Sequence, residues 1–256
     1  MEWYLILAVG GVGIVAGFIN MMAGGGSALT LPLLMFLGLP ANVANGTNRV
    51  AILFQNIVGV NTFRKNKVLD LKTDYRLAIP ATVGSVVGAF IAINLNEAVM
   101  KQVIAVLMVL MLIMIVAKPD VWIKERAGLT TPHPTLLQYI IFFFIGIYGG
   151  FIQMGVGFFL LAGLVLGCGY DLVKANAVKV FIVLIYMIFS LGVFFAGRQV
   201  DLKAGLILAV GNMIGAWAGA HFTVKGGAKY VRYVLIAALL IVIVKLFWDV
   251  WGSNGL

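Results

Sequence analysis

An all-α polytopic membrane protein built from two homologous repeats is the fold class this sequence predicts, and three observations carry that expectation. The 256 residues are 62% hydrophobic and 11% charged, with a mean hydropathy of +1.09, and no soluble domain of this size hides so much apolar surface. Apolar runs of about 20 residues, the length that crosses a hydrocarbon core, recur along the chain. Residues 24 to 90 also reappear without a gap 131 positions further on, with 18 of the 67 pairs identical, roughly twice what composition alone would give. Gly24-x-Gly26 returns as Gly155-x-Gly157, Ala44-Asn45 as Ala175-Asn176, Asp70-Leu71-Lys72 as Asp201-Leu202-Lys203, and Gly84-x3-Gly88-Ala89 as Gly215-x3-Gly219-Ala220.

The first repeat is expected over residues 1–117, an inter-repeat linker over 118–135 and the second repeat over 136–256. Met1-Glu2 lacks the basic start of a signal peptide, so residues 3 to 22 are read as a retained apolar segment. That segment belongs to a unit, 3 to 38, too long for one crossing and interrupted by Gly24-Gly25-Gly26. Single spans follow at 43–63, 74–94 and 98–117. Pro119, Pro132 and Pro134 mark the linker. A second overlong unit, 136 to 167, is interrupted by Gly149-Gly150 and Gly155-x-Gly157, and spans at 173–195, 204–222 and 229–250 complete the set. Glycine clusters inside apolar segments break or bend a helix, and lipid tolerates the break only where protein or a wet cavity satisfies the backbone. Breaks at matching places in both repeats predict discontinuous helices around a binding site, each restarting, at Ser27 and at Phe158, with free N–H groups and a positive dipole end. The Gly84-x3-Gly88 and Gly215-x3-Gly219 patterns are assigned to close helix packing. Trp3, Tyr4, Tyr139, Trp248 and Trp251 sit at the ends of apolar runs and suit the headgroup region as anchors.

The formal net charge of +9 reflects membrane orientation rather than nucleic acid, because basic residues crowd into short loops between spans. Five lie between Arg64 and Arg76 and three between Lys118 and Arg126, against two between Arg198 and Lys203. If each glycine-broken unit returns to its starting side, the repeats are inverted, Lys225, Lys229 and Arg232 join the basic side, and the asymmetry is clean. If each unit crosses once, the repeats are parallel.

The polar stripe Asn45, Asn48, Arg49, Gln55 and Asn56 shares one helix face and must turn to the bundle interior or to water. The corresponding helix of the second half presents Asn176, Lys179 and Tyr186. All nine acidic residues fall at termini, in loops or near span ends, so no carboxylate is available at depth to pair with Arg49 or Lys179. Buried cations without such partners point to an anionic substrate, while snorkelling toward the interface is the competing account. Gly25, Gly26 and Ser27 at the first break, with Thr30, and Gln153 and Tyr148 near the second, are further candidate contacts. The expected substrate-binding set is thus Asn45, Asn48, Arg49, Asn176, Lys179, Gly25, Gly26, Ser27, Gln153 and Tyr186. No cofactor or metal is expected: Cys168 is alone, and His133 and His221 are too few and too far apart.

Gly17-Phe18-Ile19-Asn20-x2-Ala23-Gly24-Gly25-Gly26-x3-Thr30-Leu31-Pro32, then Gly38-Leu39-Pro40-x3-Ala44-x2-Thr47-Asn48-Arg49, resembles the first half of the sulfite exporter TauE/SafE family, also called the 4-toluene sulfonate uptake permeases. Lys174-Ala175-Asn176-Ala177-x-Lys179 is similar to that family's second repeat, so the likeness covers nearly the whole chain. The resemblance implies a multi-pass cell-membrane carrier, of bacterial inner-membrane type, for sulfur-containing anions, with both repeats around a central site. Many relatives carry lysine where this chain has Arg49. The expectation is therefore a secondary transporter of small anions working by alternating access at a midplane site, with a passive anion channel as the alternative. An enzyme is disfavoured by the lack of an intramembrane carboxylate or a Ser-His-Asp set. The expected partners are the anionic substrate and the lipid bilayer; the oligomeric state is left open, a homodimer included.

Overall fold

The computed structural model describes residues 3–22, 24–70, 75–117 and 134–224, and these are helical apart from the connecting turns. The order is α1 (Trp3–Met22), α2 (Ser27–Phe36), α3 (Ala41–Lys65), a 3₁₀ turn (Tyr75–Leu77) leading into α4 (Ala78–Ile93), α5 (Glu97–Ala117), α6 (Leu136–Phe151), α7 (Val156–Ala162) with a π turn (Gly163–Gly167), α8 (Leu172–Ala196) and α9 (Leu202–Val224). The expected span at 229–250, the basic trio at Lys225, Lys229 and Arg232, the anchors Trp248 and Trp251, and all but the end of the linker lie outside the described residues.

Four stretches, Trp3–Met22, Tyr75–Ile93, Leu172–Ala196 and Leu202–Val224, are long and apolar enough to cross a membrane. The chain is a multi-pass membrane protein. Helix α3 has the length but not the apolar composition, and its polar stripe explains why: Asn45, Asn48, Arg49, Gln55 and Asn56 are all buried inside the bundle. Helix starts follow local chemistry. Thr135 and Gln138 form a reciprocal capping box at α6, and Asp171 accepts from the N–H groups of Val173 and Lys174 at the start of α8.

The first break falls where expected, with α1 ending at Met22 and α2 beginning at Ser27. The second differs. Gly149 and Gly150 do not break α6, which runs on to Phe151; the interruption is at 152–155 and α7 restarts at Val156, two residues before the expected Phe158. Gly155 takes the left-handed conformation, φ 73°, that turns the chain there. Gly150 has a packing role instead, since a Cβ on it would collide with the backbone of Ser85.

The two halves share local geometry in the 131-residue register. The described residues with positive φ pair as Gly24 with Gly155, Gly38 with Gly169 and Lys67 with Arg198. After both Lys67 and Arg198 the chain is tied back to the preceding helix, by Val68 N–H on Phe63 O and by Gln199 N–H on Phe194 O. Packing is reciprocal too: α1 lies along α9, α6 lies along α4, α3 meets α9 as α8 meets α4, and α3 meets α8. Both long contacts are made through small residues. Added Cβ atoms at Gly84 and Gly88 would strike the carbonyls of Phe143 and Ile147, and at Gly17 and Gly215 those of Asn212 and Ile14. In a bilayer, where burial against lipid gives no advantage, such close approach is what holds helices together. Helix α5 covers one side through Met100, Ile104 and Met108, packed with Ile19, Leu31 and Phe194.

The loop after α8 folds against the start of α3, with Asp201 N–H donating to Thr47 Oγ1 (2.9 Å), and against the end of α4, with Gln199 Nε2 donating to Ile93 O (2.9 Å). The turn at Asn66 follows the other end of α3, which at 25 residues is about 37 Å long. The two loops are therefore at opposite ends of this helix.

These close contacts make a graded prediction. Gly150→Ala pushes α6 away from α4 at Ser85 and should cost about 1–3 kcal/mol, seen as a lowered Tm of the detergent-solubilised protein. Gly11→Ala, where nothing lies within 4 Å of the added carbon, should leave Tm unchanged.

Candidate functional site

A helix leaves its last four carbonyls without internal partners and concentrates negative dipole there. Where α1 and α6 stop inside the bundle, all of these carbonyls find donors. At the end of α1, Ile19 O accepts from Gly24 N–H (3.3 Å), Asn20 O and Met21 O both accept from Lys179 Nζ (3.1 Å each), and Met22 O accepts from Asn176 Nδ2 (3.0 Å). At the end of α6, Tyr148 O accepts from Ile152 N–H (2.8 Å), Gly149 O from Arg49 Nη1 (3.1 Å), Gly150 O from Arg49 Nη2 (2.6 Å), and Phe151 O from Asn45 Nδ2 (2.9 Å). In each case the last three carbonyls are met by one amide and one cation from the opposite half.

Arg49 is fully buried and Lys179 2% exposed, so neither snorkels to an interface. The negative partner that the lack of deep carboxylates seemed to demand from outside is supplied by the chain itself, as helix-end carbonyls. Arg49 has two further contacts: Nη1 donates to Ser190 Oγ (3.2 Å) and the guanidinium lies 4.4 Å from the centre of the Phe194 ring. The aligned position of Lys179 is Asn48 rather than Arg49. Asn48 instead accepts from Thr30 Oγ1 (2.6 Å), joining α3 to α2.

The breaks meet one another. A Cβ on Gly24 would overlap Gly157 Cα and the reverse holds for Gly157, so the two interruptions touch back to back. Beside that contact lies a cavity of about 10 Å³, room for one water-sized molecule, lined by Asn20, Gly24, Gln55, Asn56, Gln153, Val156, Gly157, Lys179 and Val183. Its polar groups are linked into a network. Gln55 Oε1 accepts from Asn212 Nδ2 (2.9 Å) and Asn20 Nδ2 (3.4 Å), Asn20 Oδ1 accepts from Gly26 N–H (2.9 Å), and Gln153 Oε1 accepts from Tyr186 OH (2.9 Å). With their oxygens occupied, Gln55 and Gln153 present their Nε2 donors, and Lys179, having spent two of its three protons on carbonyls, keeps one.

The residues singled out in the sequence thus separate by position. Lys179 and Gln153 line the cavity, and Tyr186 stands behind Gln153. Arg49, Asn45 and Asn176 cap the helix ends; Gly26 is bonded to Asn20, and Gly25 and Ser27 are buried at the first break. The Ser27 hydroxyl has no hydrogen-bond partner, and the N–H of Gly26, just before the helix restart, is taken by Asn20. Tyr148, another candidate, donates to Met154 O (2.6 Å) and so braces the second break. Asn20, with Gln55 and Asn56, joins the cavity wall without having been in the expected set. The signal for Asn20 was present, as a lone amide in an otherwise apolar run four residues before the glycines.

The model of the family described as "Sulfite exporter TauE/SafE" matches residues 9–246. The chain is 30% identical over 245 residues to the probable membrane transporter protein YfcA of Escherichia coli K12, covering 95% of this chain and 90% of that one. It is 27% identical over 235 residues to the probable membrane transporter protein ORF9 of a Sinorhizobium species, covering 92% and 89%, and 23% identical over 269 residues to YunE of Bacillus subtilis, covering 96% and 98%. No solved structure matches. A family match over nearly the whole length, on a helical bundle whose interrupted helices converge at a buried polar cavity, leads to one assignment: this chain belongs to the sulfite exporter TauE/SafE family.

Proposed function

We propose that this protein is a secondary transporter of a small anion, a sulfur oxyanion or organosulfonate, in a cell membrane, and that the anion binds where the two helix breaks meet. The observation that carries the reading is the cavity itself, whose unspent hydrogen-bonding groups include the Nζ of Lys179 and the Nε2 atoms of Gln55 and Gln153. A cation with amide donors from both halves suits an oxyanion. The family's description supplies the sulfur part of the reading, and the relatives, named as membrane transporter proteins, favour transport over catalysis.

Lys179 and Gln153 are the direct contacts in this reading, with Gly25, Gly26 and Ser27 at the edge of the site. Asn45, Arg49 and Asn176 hold the broken helices in place, while Asn48 and Tyr186 position Thr30 and Gln153. A site of one-water size is too small for an oxyanion, so binding requires the breaks to part at Gly24 and Gly157. Alternating access then amounts to separating the two halves on one side of that contact and then on the other. Inverted repeats fit this motion, and they are supported by the reciprocal helix contacts and by the loops at Asn66 and Arg198 standing at opposite ends of α3.

Titration of purified protein with sulfite, thiosulfate, sulfate, sulfoacetate and toluenesulfonate tests the function. At least one should bind, and proteoliposomes should exchange labelled for unlabelled anion; flux that only follows the membrane potential would make the protein a channel. Lys179→Gln should weaken binding about 10- to 100-fold, the scale of a charge-assisted hydrogen bond. Gln153→Glu, which keeps an acceptor for Tyr186 while adding a negative charge, should abolish binding in a monodisperse sample. Wild-type affinity in both variants would remove the anion from this cavity.

Topology has its own check. Single cysteines at N66C and R198C, in a Cys168→Ala background, should react with an impermeant maleimide from opposite sides of the membrane. Reaction of both from one side would mean parallel repeats.

A further inference from the structure

A second concavity, about 320 Å³, lies between the C-terminal parts of α3 and α9 and shares no lining residue with the cavity at the helix breaks. It is lined by Ile57, Val58, Asn61, Thr62, Lys65, Asn66, Trp217 and His221. The lining is graded along the helix: Ile57 and Val58 at the deep end give way to Asn61, then to Lys65 and Asn66 at the helix end. Eight residues separate Ile57 from Lys65, about 12 Å of rise, which is the depth over which a bilayer passes from acyl chain to headgroup. The groove opens on the lipid-facing side, for Ile57 is 47% and Trp217 57% exposed. Thr62 donates to Val58 O and Asn66 to Thr62 O, and His221 Nδ1 meets Trp217 O, which leaves the Lys65 ammonium, the Asn61 amide, the Trp217 indole N–H and His221 Nε2 as the outward polar groups, with Lys65 the formal cation among the lining residues.

The other half of the molecule supplies a control. In the 131-residue register, Asn61, Lys65 and Asn66 correspond to Gly192, Ala196 and Gly197, and Trp217 and His221 correspond to Val86 and Phe90. Symmetric packing therefore does not require polar residues in this place. We propose that the groove binds the phosphate headgroup of an anionic phospholipid, with Lys65 and Asn61 on the phosphate, the indole of Trp217 at the glycerol level and one acyl chain along Ile57 and Val58. A basic, amphipathic crevice between spanning helices, opening sideways into the bilayer, matches a lipid better than a soluble ion.

Trp217 lets the groove report on its own occupant. A variant with Trp3, Trp122, Trp248 and Trp251 replaced by Phe is reconstituted in nanodiscs of phosphatidylcholine containing a minor fraction of chain-brominated phosphatidylglycerol, or of chain-brominated phosphatidylcholine. The anionic quencher should act at about fivefold lower mole fraction, the preference that one lysine near the surface confers, and Lys65→Gln should bring the two lipids level. The proposal is overturned if both lipids quench equally, which means ordinary annular lipid, or if the preference survives Lys65→Gln. It is also overturned if neither lipid quenches, because another segment of the protein then fills the groove, or if millimolar inorganic phosphate removes the preference, because the site then serves a soluble anion. Loss of substrate binding with the lipid preference intact would leave this groove standing and sink only the transport site.

Discussion

Ending a helix inside a packed bundle exposes carbonyls that apolar neighbours cannot satisfy, and the arrangement of this molecule follows from how that need is met. With an unsatisfied polar group in hydrocarbon costing several kcal/mol, six carbonyls at the ends of α1 and α6 would outweigh the stability of most domains. Four side chains remove the problem: Lys179 and Asn176 for α1, Arg49 and Asn45 for α6. Each pair comes from the half that does not own the helix it caps. The long contacts of α1 with α9 and of α6 with α4 bring the halves into the register in which those donors arrive.

The two caps are alike in what they bond and different in what they leave over. The guanidinium of Arg49 is stacked on Phe194 and shared among Gly149, Gly150 and Ser190, a planar fork used for several fixed contacts at once. The ammonium of Lys179 makes two contacts with three protons and stands at the wall of the cavity. Near-symmetry thus holds the breaks in place, and the departure from it, lysine against arginine one position later, sets one cation and not the other at the cavity wall. Asn48 fills the position matching Lys179 and is tied to α2 through Thr30, which gives the first break a brace of its own.

Much of this was legible in the sequence, for reasons that can be named. Helix positions followed from apolar runs of spanning length, and the inward face of α3 followed from polar residues spaced so that lipid could not be their neighbour. The second break was misjudged at Gly149 and Gly150 because glycine serves two purposes in membranes, turning the backbone and letting another backbone come near, and residue identity does not separate them. Positive φ at Gly155 and the Ser85 contact at Gly150 do. The role of the buried cations was harder to read. A search for carboxylate partners overlooks the backbone, whose carbonyls become acceptors of consequence only where a helix ends, and the end that matters to Arg49 lies 100 residues away in the chain. Asn20, though part of the motif, was left out of the expected binding set because a single amide in an apolar helix looks like an isolated exception until the fold sets Gln55 and Gly26 beside it.

The exchange of caps between halves also bears on how the chain is made. The carbonyls at the end of α1 emerge early in synthesis, yet Lys179, which satisfies two of them, follows 159 and 158 residues later. At roughly 5–20 residues per second, that end waits on the order of ten to thirty seconds for its partner. Over that interval Asn20 O and Met21 O lack the cation that meets them in the finished fold. The end of α6, by contrast, emerges after Asn45 and Arg49 and finds its donors already made, so the two caps are completed in order, that of α6 first and that of α1 last.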